Sequence, residues 1–222
     1  SKKTINLSFD EWNVCFHSKD EEIDITTNHP WQTAPHLLED HYNFEDALMV
    51  GLMMITLLRH ADRVKIACLA QLVNVIAPVM TEEDGPAWRQ TIYYPFLHAS
   101  KYGRGTVLEL LTDSGVHSTK EHGEVSDIVS VAVFNEEKEE VTIFAVNRNL
   151  EEDVALTVDV RSFEGYEAEE QIILACDDLK AENNAAGEKV FPIQKACGKI
   201  EEGYLTTVLG KASWNVIRFK KH

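Results

Sequence analysis

The second half of the sequence consists of short segments in which apolar and polar residues alternate. These segments recur from residue 106 onward, with turn-like stretches such as "NEEKEE" and "NRNLEED" between them: "TVLELL", "DIVSVAVFN", "EVTIFAVNR", "VALTVDVRS", "EEQIILA" and "WNVIRFK". Alternation places the apolar side chains of a strand on one face, and closely spaced strands with polar turns are typical of sandwiches. We therefore predict an antiparallel, jelly-roll-like β-sandwich over residues 106–222.

Residues 1–105 follow a different pattern, in which strand-like and helix-like segments alternate. "TINLSF" predicts a strand, and Asn43 is a suitable cap for a helix that runs from Phe44 to about His60. "RVKIACLA" predicts a second strand, and "YYPFLHASKYG" reads as part of a second helix. The second strand is apolar on both faces, as expected for a parallel strand covered by helices.

Two such units do not make a stable domain, because a two-stranded parallel sheet buries too little apolar surface. We therefore expect residues 1–105 to be the end of a larger α/β domain that begins upstream of this chain. No flexible linker lies near residue 105, so we expect the two parts to pack tightly. No signal peptide is visible, and the longest apolar run, "ALMVGLMMITLL", is too short to cross a bilayer.

The charge and the cysteine pattern exclude several classes of partner and cofactor. The formal net charge is −16, which argues against nucleic acid and against an anionic membrane surface, since both require excess Lys and Arg. The four cysteines show no C-x-x-C spacing and the nine histidines no H-x-x-x-H spacing. We therefore predict no metal site, no cofactor and a reduced, cytoplasmic protein.

Two adjacent carboxylates, Asp10 and Glu11, lie at the end of the first predicted strand. The carboxyl ends of strands carry the chemistry in a (β/α)8 barrel. Strict alternation separates the side chains into two sets: Leu7, Phe9, Glu11 and Asn13 on one side, and Ser8, Asp10 and Trp12 on the other. We therefore expect one carboxylate to react and the other to support it. The alternative is a solvated loop start, and Trp12 favours a sugar site because sugar rings stack on aromatic faces.

Four long segments closely resemble glycoside hydrolase family 51, the intracellular α-L-arabinofuranosidases: "LSFDEWNV", "LLEDHYNFEDALMVGLMMITLLRHADRVKIACLAQLVNVIAPVMTE", "AWRQTIYYPFLHAS" and "ASWNVIRF". The resemblance runs through essentially the whole chain and covers the C-terminal part of the family. It implies an α/β plus all-β fold, with the last two βα units of a (β/α)8 barrel in residues 1–105 and the sandwich in 106–222. It also implies retaining hydrolysis of an arabinose-containing oligosaccharide from arabinan or arabinoxylan, and a homo-oligomer.

The resemblance further implies roles for single residues. Glu11 matches the catalytic nucleophile, and Gln71 matches a residue that hydrogen-bonds the arabinose hydroxyls. Without the family, Gln71 reads equally well as a loop amide that satisfies backbone groups. The acid/base glutamate of the family belongs to an earlier strand. We therefore expect a missing N-terminal barrel segment as a partner, and an inactive chain without it.

Cys15 stands where family members commonly carry a tryptophan that helps to wall the sugar site. It is either an exposed thiol at the mouth of a pocket or an inert, partly buried thiol. His29 or Trp31 could line the side of the site that holds the leaving group. Two other functions stay open: a parent enzyme that cleaves β-xylosides or glucans, and a non-catalytic module for sugar binding or assembly.

Overall fold

The computed structural model describes residues 3–14, 33, 36 and 38–222. A β-α-β unit comes first, in which strand β1 (Leu7–Trp12) and strand β2 (Val64–Leu69) pair in parallel across helix α1 (Phe44–Arg59). A short antiparallel hairpin and a second helix follow: β3 (Val79–Thr81), β4 (Ala87–Arg89) and α2 (Tyr93–Tyr102). Both predicted helices and the second predicted strand are thus present near their predicted positions.

Helix α1 begins at the predicted residue because Asn43 caps it. The Asn43 side chain accepts a hydrogen bond from the Asp46 N–H, and the Asp46 carboxylate accepts one from the Asn43 N–H, which makes a reciprocal capping box. At the other end, the Arg59 guanidinium donates two hydrogen bonds to the Ser130 carbonyl oxygen, at 3.1 and 2.6 Å. The helix is therefore fixed to a strand of the second half.

The second half forms the predicted antiparallel sandwich. A six-stranded sheet has the order β12-β11-β15-β9-β8-β5, and a three-stranded sheet has the order β10-β14-β13. The bounds of these strands are β5 Thr106–Leu108, β8 Ile128–Asn135, β9 Glu140–Asn147, β10 Val154–Asp159, β11 Tyr166–Ala175, β12 Ile193–Ala196, β13 Ile200–Glu201, β14 Tyr204–Leu209 and β15 Ser213–Lys221. A separate hairpin joins β6 (Val116–Thr119) to β7 (Gly123–Ser126).

The six-stranded sheet is the middle layer of the described structure. Alternate residues of β9 show this: Val141, Ile143 and Ala145 lie in the core shared with the three-stranded sheet. Phe144 and Val146 lie in the core shared with α1 and α2. The two parts of the chain therefore pack directly on each other, although among the described strands none before residue 105 pairs with one after it. The exact domain boundary at 105 stays a prediction.

The helices approach the sheet most closely at Gly51 and Trp214. A Cβ atom on Gly51 would lie 2.6 Å from Trp214 Cε3, so only glycine allows this contact. The Trp214 indole stacks on Phe144, and its Nε1–H donates to His98 Nδ1 of α2 at 3.0 Å. One tryptophan of β15 is thus in contact with both helices.

Several short strands were absent from the sequence prediction, and one was displaced. The prediction did not include β3, β4, β6, β7, β12, β13 or β14, and it extended β5 three residues too far. Strand β1 begins at Leu7 and runs to Trp12, whereas the predicted strand covered residues 4–9. The two candidate carboxylates therefore lie within the strand and not after it.

Candidate functional site

The carboxylates Asp10 and Glu11 lie at the carboxyl end of β1, and both are exposed. The pairing with β2 is irregular here, because Phe9 faces Ala67 and Trp12 faces Leu69, so that three steps along β1 match two along β2. Such an irregularity is a β-bulge, which changes the direction of neighbouring side chains. Asp10 and Glu11 are the two residues within it.

This bulge makes the strict alternation expected from the sequence wrong. Phe9 lines a cleft of about 390 Å³ with Leu57 of α1, and Trp12 packs against Val50 and Met54 of the same helix. Both side chains therefore face α1, although they are three positions apart. Which of the two carboxylates between them faces a substrate stays a prediction, and Glu11 remains our assignment for the reactive group.

Trp12 lies in the core. It is 5% exposed and belongs to a cluster with Tyr42, Ile92 and residues of α1. Its indole Nε1–H is buried and has no hydrogen-bond partner among the described residues. In this arrangement the ring offers no open face on which a sugar could stack, and it supports β1 from behind instead.

Asn13 connects the end of β1 to the loop that follows β2. Its Nδ2 donates to the Ala70 carbonyl oxygen at 2.7 Å and to the Ile76 carbonyl oxygen at 2.6 Å. Its Oδ1 accepts from the Val14 N–H at 2.8 Å. Because Asn13 is two residues from Glu11, these bonds hold the loop beside the candidate nucleophile.

Gln71 follows β2 directly and is exposed. The Ala70–Gln71 peptide bond is cis, and the Gln71 N–H donates to the Ile76 carbonyl oxygen at 3.1 Å. Parallel strands end at the same edge of a sheet, so Gln71 and Glu11 lie at one edge. The contact between Gln71 and a sugar stays a prediction.

Three of the predicted site residues cannot be placed. Cys15, His29 and Trp31 lie outside the described residues. Three other cysteines, Cys68, Cys176 and Cys197, are free thiols. Within residues 3–14, 33, 36 and 38–222, no group of three His, Cys, Asp or Glu side chains could hold a metal ion. Neither described helix has the length and apolar character needed to cross a bilayer.

One residue behind this edge was not recognised from the sequence. Gln90 is fully buried, and its side chain reaches both loops at the edge. A single buried amide gives no periodic signal, because its partners lie 13 to 50 residues away. The segment "AWRQTIYYPFLHAS" resembles the family, but this resemblance gives Gln90 no role.

The edge can perform one kind of chemistry with the residues that it contains. An exposed carboxylate at a strand end can attack an anomeric carbon, and an exposed amide across the edge can hydrogen-bond sugar hydroxyls. Cleavage also needs an acid for the leaving group. The described residues assign no side chain to that task.

Comparison with known families gives a match over most of the chain. Residues 10–213 match the family described as the alpha-L-arabinofuranosidase C-terminal domain. A protein of Acetivibrio thermocellus, named an intracellular exo-alpha-(1->5)-L-arabinofuranosidase, is 60% identical over 222 residues, which are all of this chain and 44% of that protein. The name of this relative agrees with the cytoplasmic location predicted from the cysteines.

Two proteins of Bifidobacterium longum extend the comparison. One, named an exo-alpha-(1->6)-L-arabinofuranosidase, is 40% identical over 99% of this chain and 43% of its own length. The other is a solved structure of a family 51 alpha-L-arabinofuranosidase, with a TM-score of 0.87 and 37% identity over 99% of this chain and 44% of that chain. The chain thus spans less than half the length of the relatives that it matches.

Proposed function

Because this chain belongs to the alpha-L-arabinofuranosidase C-terminal domain family, we propose that it is the C-terminal portion of a retaining α-L-arabinofuranosidase. The enzyme would remove terminal arabinofuranosyl residues from arabinan or arabinoxylan oligosaccharides in the cytoplasm. The observation that carries this proposal is an exposed carboxylate, Glu11, at the carboxyl edge of a parallel strand pair in a chain 60% identical to such an enzyme.

Glu11 is the proposed nucleophile. Its carboxylate attacks the anomeric carbon, the glycosidic bond breaks, and a covalent glycosyl-enzyme intermediate forms that water then hydrolyses. Gln71 holds the ring hydroxyls across the edge, and Asn13 keeps the loop of Gln71 beside Glu11. A retaining enzyme needs its second carboxyl group about 5–5.5 Å from the first. We assign this acid/base group to an upstream part of the protein.

The open face of the strand pair supports an upstream segment. Ile66 and Cys68, alternate residues of β2, are exposed, Ile66 to 53%, although parallel strands are normally covered on both faces. We propose that the upstream segment supplies the remaining strands of a (β/α)8 barrel and covers this face. The length of a relative supports such an upstream segment, since this chain matches only 44% of the Acetivibrio thermocellus protein. A homo-oligomer belongs to the same proposal.

The test of the nucleophile uses the longer protein that carries the upstream segment. Glu11→Ala should reduce turnover of an arabino-oligosaccharide to background, and added azide should restore turnover of an activated aryl α-L-arabinofuranoside. Asp10→Ala is the matched control, because it removes the neighbouring carboxylate of the same bulge. Normal turnover in Glu11→Ala together with loss in Asp10→Ala would reverse the assignment. Retention of anomeric configuration is followed by proton NMR of the first product.

The identities to two relatives support a proposal about the preferred linkage. The relative named for the (1->5) linkage is 60% identical and the relative named for the (1->6) linkage 40% identical. We therefore propose a preference for (1→5)-linked arabinose. Initial rates on the two disaccharides test this, and a faster rate on the (1→6) disaccharide would overturn it.

A further inference from the structure

Gln90 joins three segments of the chain behind the candidate edge. Its Oε1 accepts from the Tyr42 N–H at 2.9 Å, and its Nε2 donates to the carbonyl oxygens of Asp40 and Ala77, both at 2.8 Å. Its own N–H donates to the Pro78 carbonyl oxygen at 2.8 Å. The segment before α1 and the loop after β2 are therefore both bonded to one buried side chain.

The loop after β2 depends on such bonds because its backbone is strained. Ile76 has a φ of 40°, and Leu38, which it contacts, has a φ of 53°. Side chains branched at Cβ rarely adopt this region. The Ile76 N–H donates to the Leu38 carbonyl oxygen at 2.7 Å, and the Ile76 carbonyl oxygen accepts from Asn13 Nδ2 and from the Gln71 N–H. Strained backbone persists only where its surroundings determine it.

Ala77 connects Gln90 to the strained loop after β2. It follows Ile76 directly, so the hydrogen bond from Gln90 Nε2 acts on the loop next to its strained residue. Through Ile76, the same loop is bonded to Asn13, two residues from Glu11, and to Gln71. Gln71 is therefore bonded directly to the Ile76 carbonyl oxygen, and Glu11 is two residues from Asn13, which is bonded to the same oxygen. Gln90 helps to fix the position of this oxygen through the neighbouring Ala77.

The sandwich also holds β4, which ends one residue before Gln90. Residues 177–190, which we call the strap, leave the sandwich after β11 and cross to β4. The side chain of Asn183 donates to the Arg89 carbonyl oxygen at 3.0 Å, and Glu188 accepts two hydrogen bonds from the Arg89 guanidinium at 2.8 and 3.1 Å. Burial opposes ionisation of Glu188, but the hydrogen bonds from Tyr94 and Arg89 lower its pKa.

We propose that Gln90 is a positioning residue for the arabinofuranosidase reaction, and that the strap extends this positioning to the sandwich. Gln90 sets the loops that place Gln71 and Glu11 at one edge, without touching the substrate. This inference rests on the proposed function, since it assigns Gln90 a task in that reaction.

The test compares two buried glutamines in the longer protein. Gln90→Met keeps the side-chain length and removes the amide. Gln171→Met is the matched control, because Gln171 is also fully buried and its amide donates to the Val208 carbonyl oxygen and to Asn215 Oδ1, but within the sandwich. Both variants should be less thermostable than the unaltered protein, so kinetics are measured well below both melting temperatures with an aryl α-L-arabinofuranoside.

Gln90→Met should lower kcat/KM by about ten- to a hundredfold, because a misplacement of about 1 Å costs catalysis that much. KM should rise and kcat should fall together, since Gln71 contacts the sugar before and during the reaction. Gln171→Met should stay within about twofold of the unaltered protein. Equal kinetics in the two variants would overturn the positioning role, whatever their melting temperatures.

Hydrogen exchange gives a second readout that needs no activity. Amides of residues 38–43 and 71–77 should exchange faster in Gln90→Met and at the unaltered rate in Gln171→Met. Unchanged exchange in both loops would refute the role of Gln90. An unaltered protein that fails to hydrolyse any arabinofuranoside would instead refute the proposed function, and the exchange data would still decide whether Gln90 holds the loops.

Discussion

Strands β9 and β1 are both rich in apolar residues, but they differ in what covers them. All eight residues of β9 are buried, because the helices cover one face of its sheet and the three-stranded sheet covers the other. Of the six residues of β1, only Trp12 is buried. The side of β1 that faces α1 packs on this helix, and the rest of the surface of β1 is open.

This difference separates the sheet whose two faces are both covered by residues of this chain from the strand pair that has one face open. The sandwich, with α1 and α2 on its outer face, has the layered arrangement of a finished domain. The β1–β2 pair packs on α1 on one side, and the alternate residues Ile66 and Cys68 of β2 are exposed. Since parallel strands are normally covered on both faces, this exposure supports the proposed upstream segment.

The largest expected effect is in the finished core. Phe144→Ala should lower the free energy of unfolding by about 3–5 kcal/mol, as is typical for a fully buried phenylalanine. Phe144 is 0% exposed and stacks on Trp214 with ring centroids 5.6 Å apart. Urea denaturation measures the change, with Met49→Ala on the exposed side of α1 as the control. A loss below about 1 kcal/mol, the average for all substitutions, would contradict the packing described for β9.

Acid should weaken the contact between α2 and the sandwich. Burial, together with the nearby charge of Lys101, lowers the pKa of His98 to about 4 from its ordinary value of 6.5. The unfolded chain therefore binds more protons between these values, so stability should fall as the pH drops from about 6.5 to 4, by up to about 3 kcal/mol. Protonation of Nδ1 also removes the acceptor for Trp214.

His98→Gln separates this contribution from other acid effects. A glutamine can still accept from the Trp214 indole but does not titrate. The difference in unfolding free energy between the unaltered chain and this variant should therefore shrink or change sign as the pH falls from 6.5 to 4. A difference that is constant over this range would show that His98 does not titrate as described. His60→Gln, at an exposed histidine, is the control.

Gly51→Ala should destabilise the chain by about 1–3 kcal/mol, because the added methyl group overpacks the contact with Trp214. In an exposed helix interior the same change would stabilise by about 1 kcal/mol. The sign of the effect therefore tests whether α1 packs on the finished sheet. In a Trp214→Phe background the cost should be smaller. Gly51→Ala that stabilises the chain would contradict the 2.6 Å approach.

The same comparison explains what could be predicted from the sequence. Helix α1 was predicted to within a residue because Asn43 and its capping box give local signals, and β8, β9 and β15 because their apolar patterns are long. Strands β13 and β14 were not, since β13 has only two residues and β14 pairs with β10, which is distant in sequence. The bulge in β1 gave no signal at all, and it made the predicted alternation wrong.

The residues of the candidate site also fall into two groups: those that the sequence indicates and those whose role depends on the fold. Glu11 and Gln71 could be assigned from the sequence because each lies at the carboxyl end of an apolar strand and matches a family motif, and their roles stay predictions. The burial of Trp12 could not, since it results from packing on α1. Gln90 and Asn183 act through backbone atoms of other segments, so their contribution is a property of the fold and not of any local pattern.

The smallest expected effect is on the open face. In the 222-residue chain, Ile66→Ala should change the free energy of unfolding by less than about 1 kcal/mol, because Ile66 is 53% exposed. In the longer protein the same substitution should cost about 2–5 kcal/mol, the usual cost at a buried position. Equal costs in the two proteins would show that no upstream segment covers this face.

The most direct measurement is the turnover of an aryl α-L-arabinofuranoside by residues 1–222 alone and by the longer protein. We predict turnover by the longer protein, loss of that turnover on Glu11→Ala, and no turnover by residues 1–222 alone, since this chain has no assigned acid and an open pocket. Turnover by residues 1–222 that is lost on Glu11→Gln would overturn the proposed function of this chain, because it would show that a complete site forms within residues 1–222.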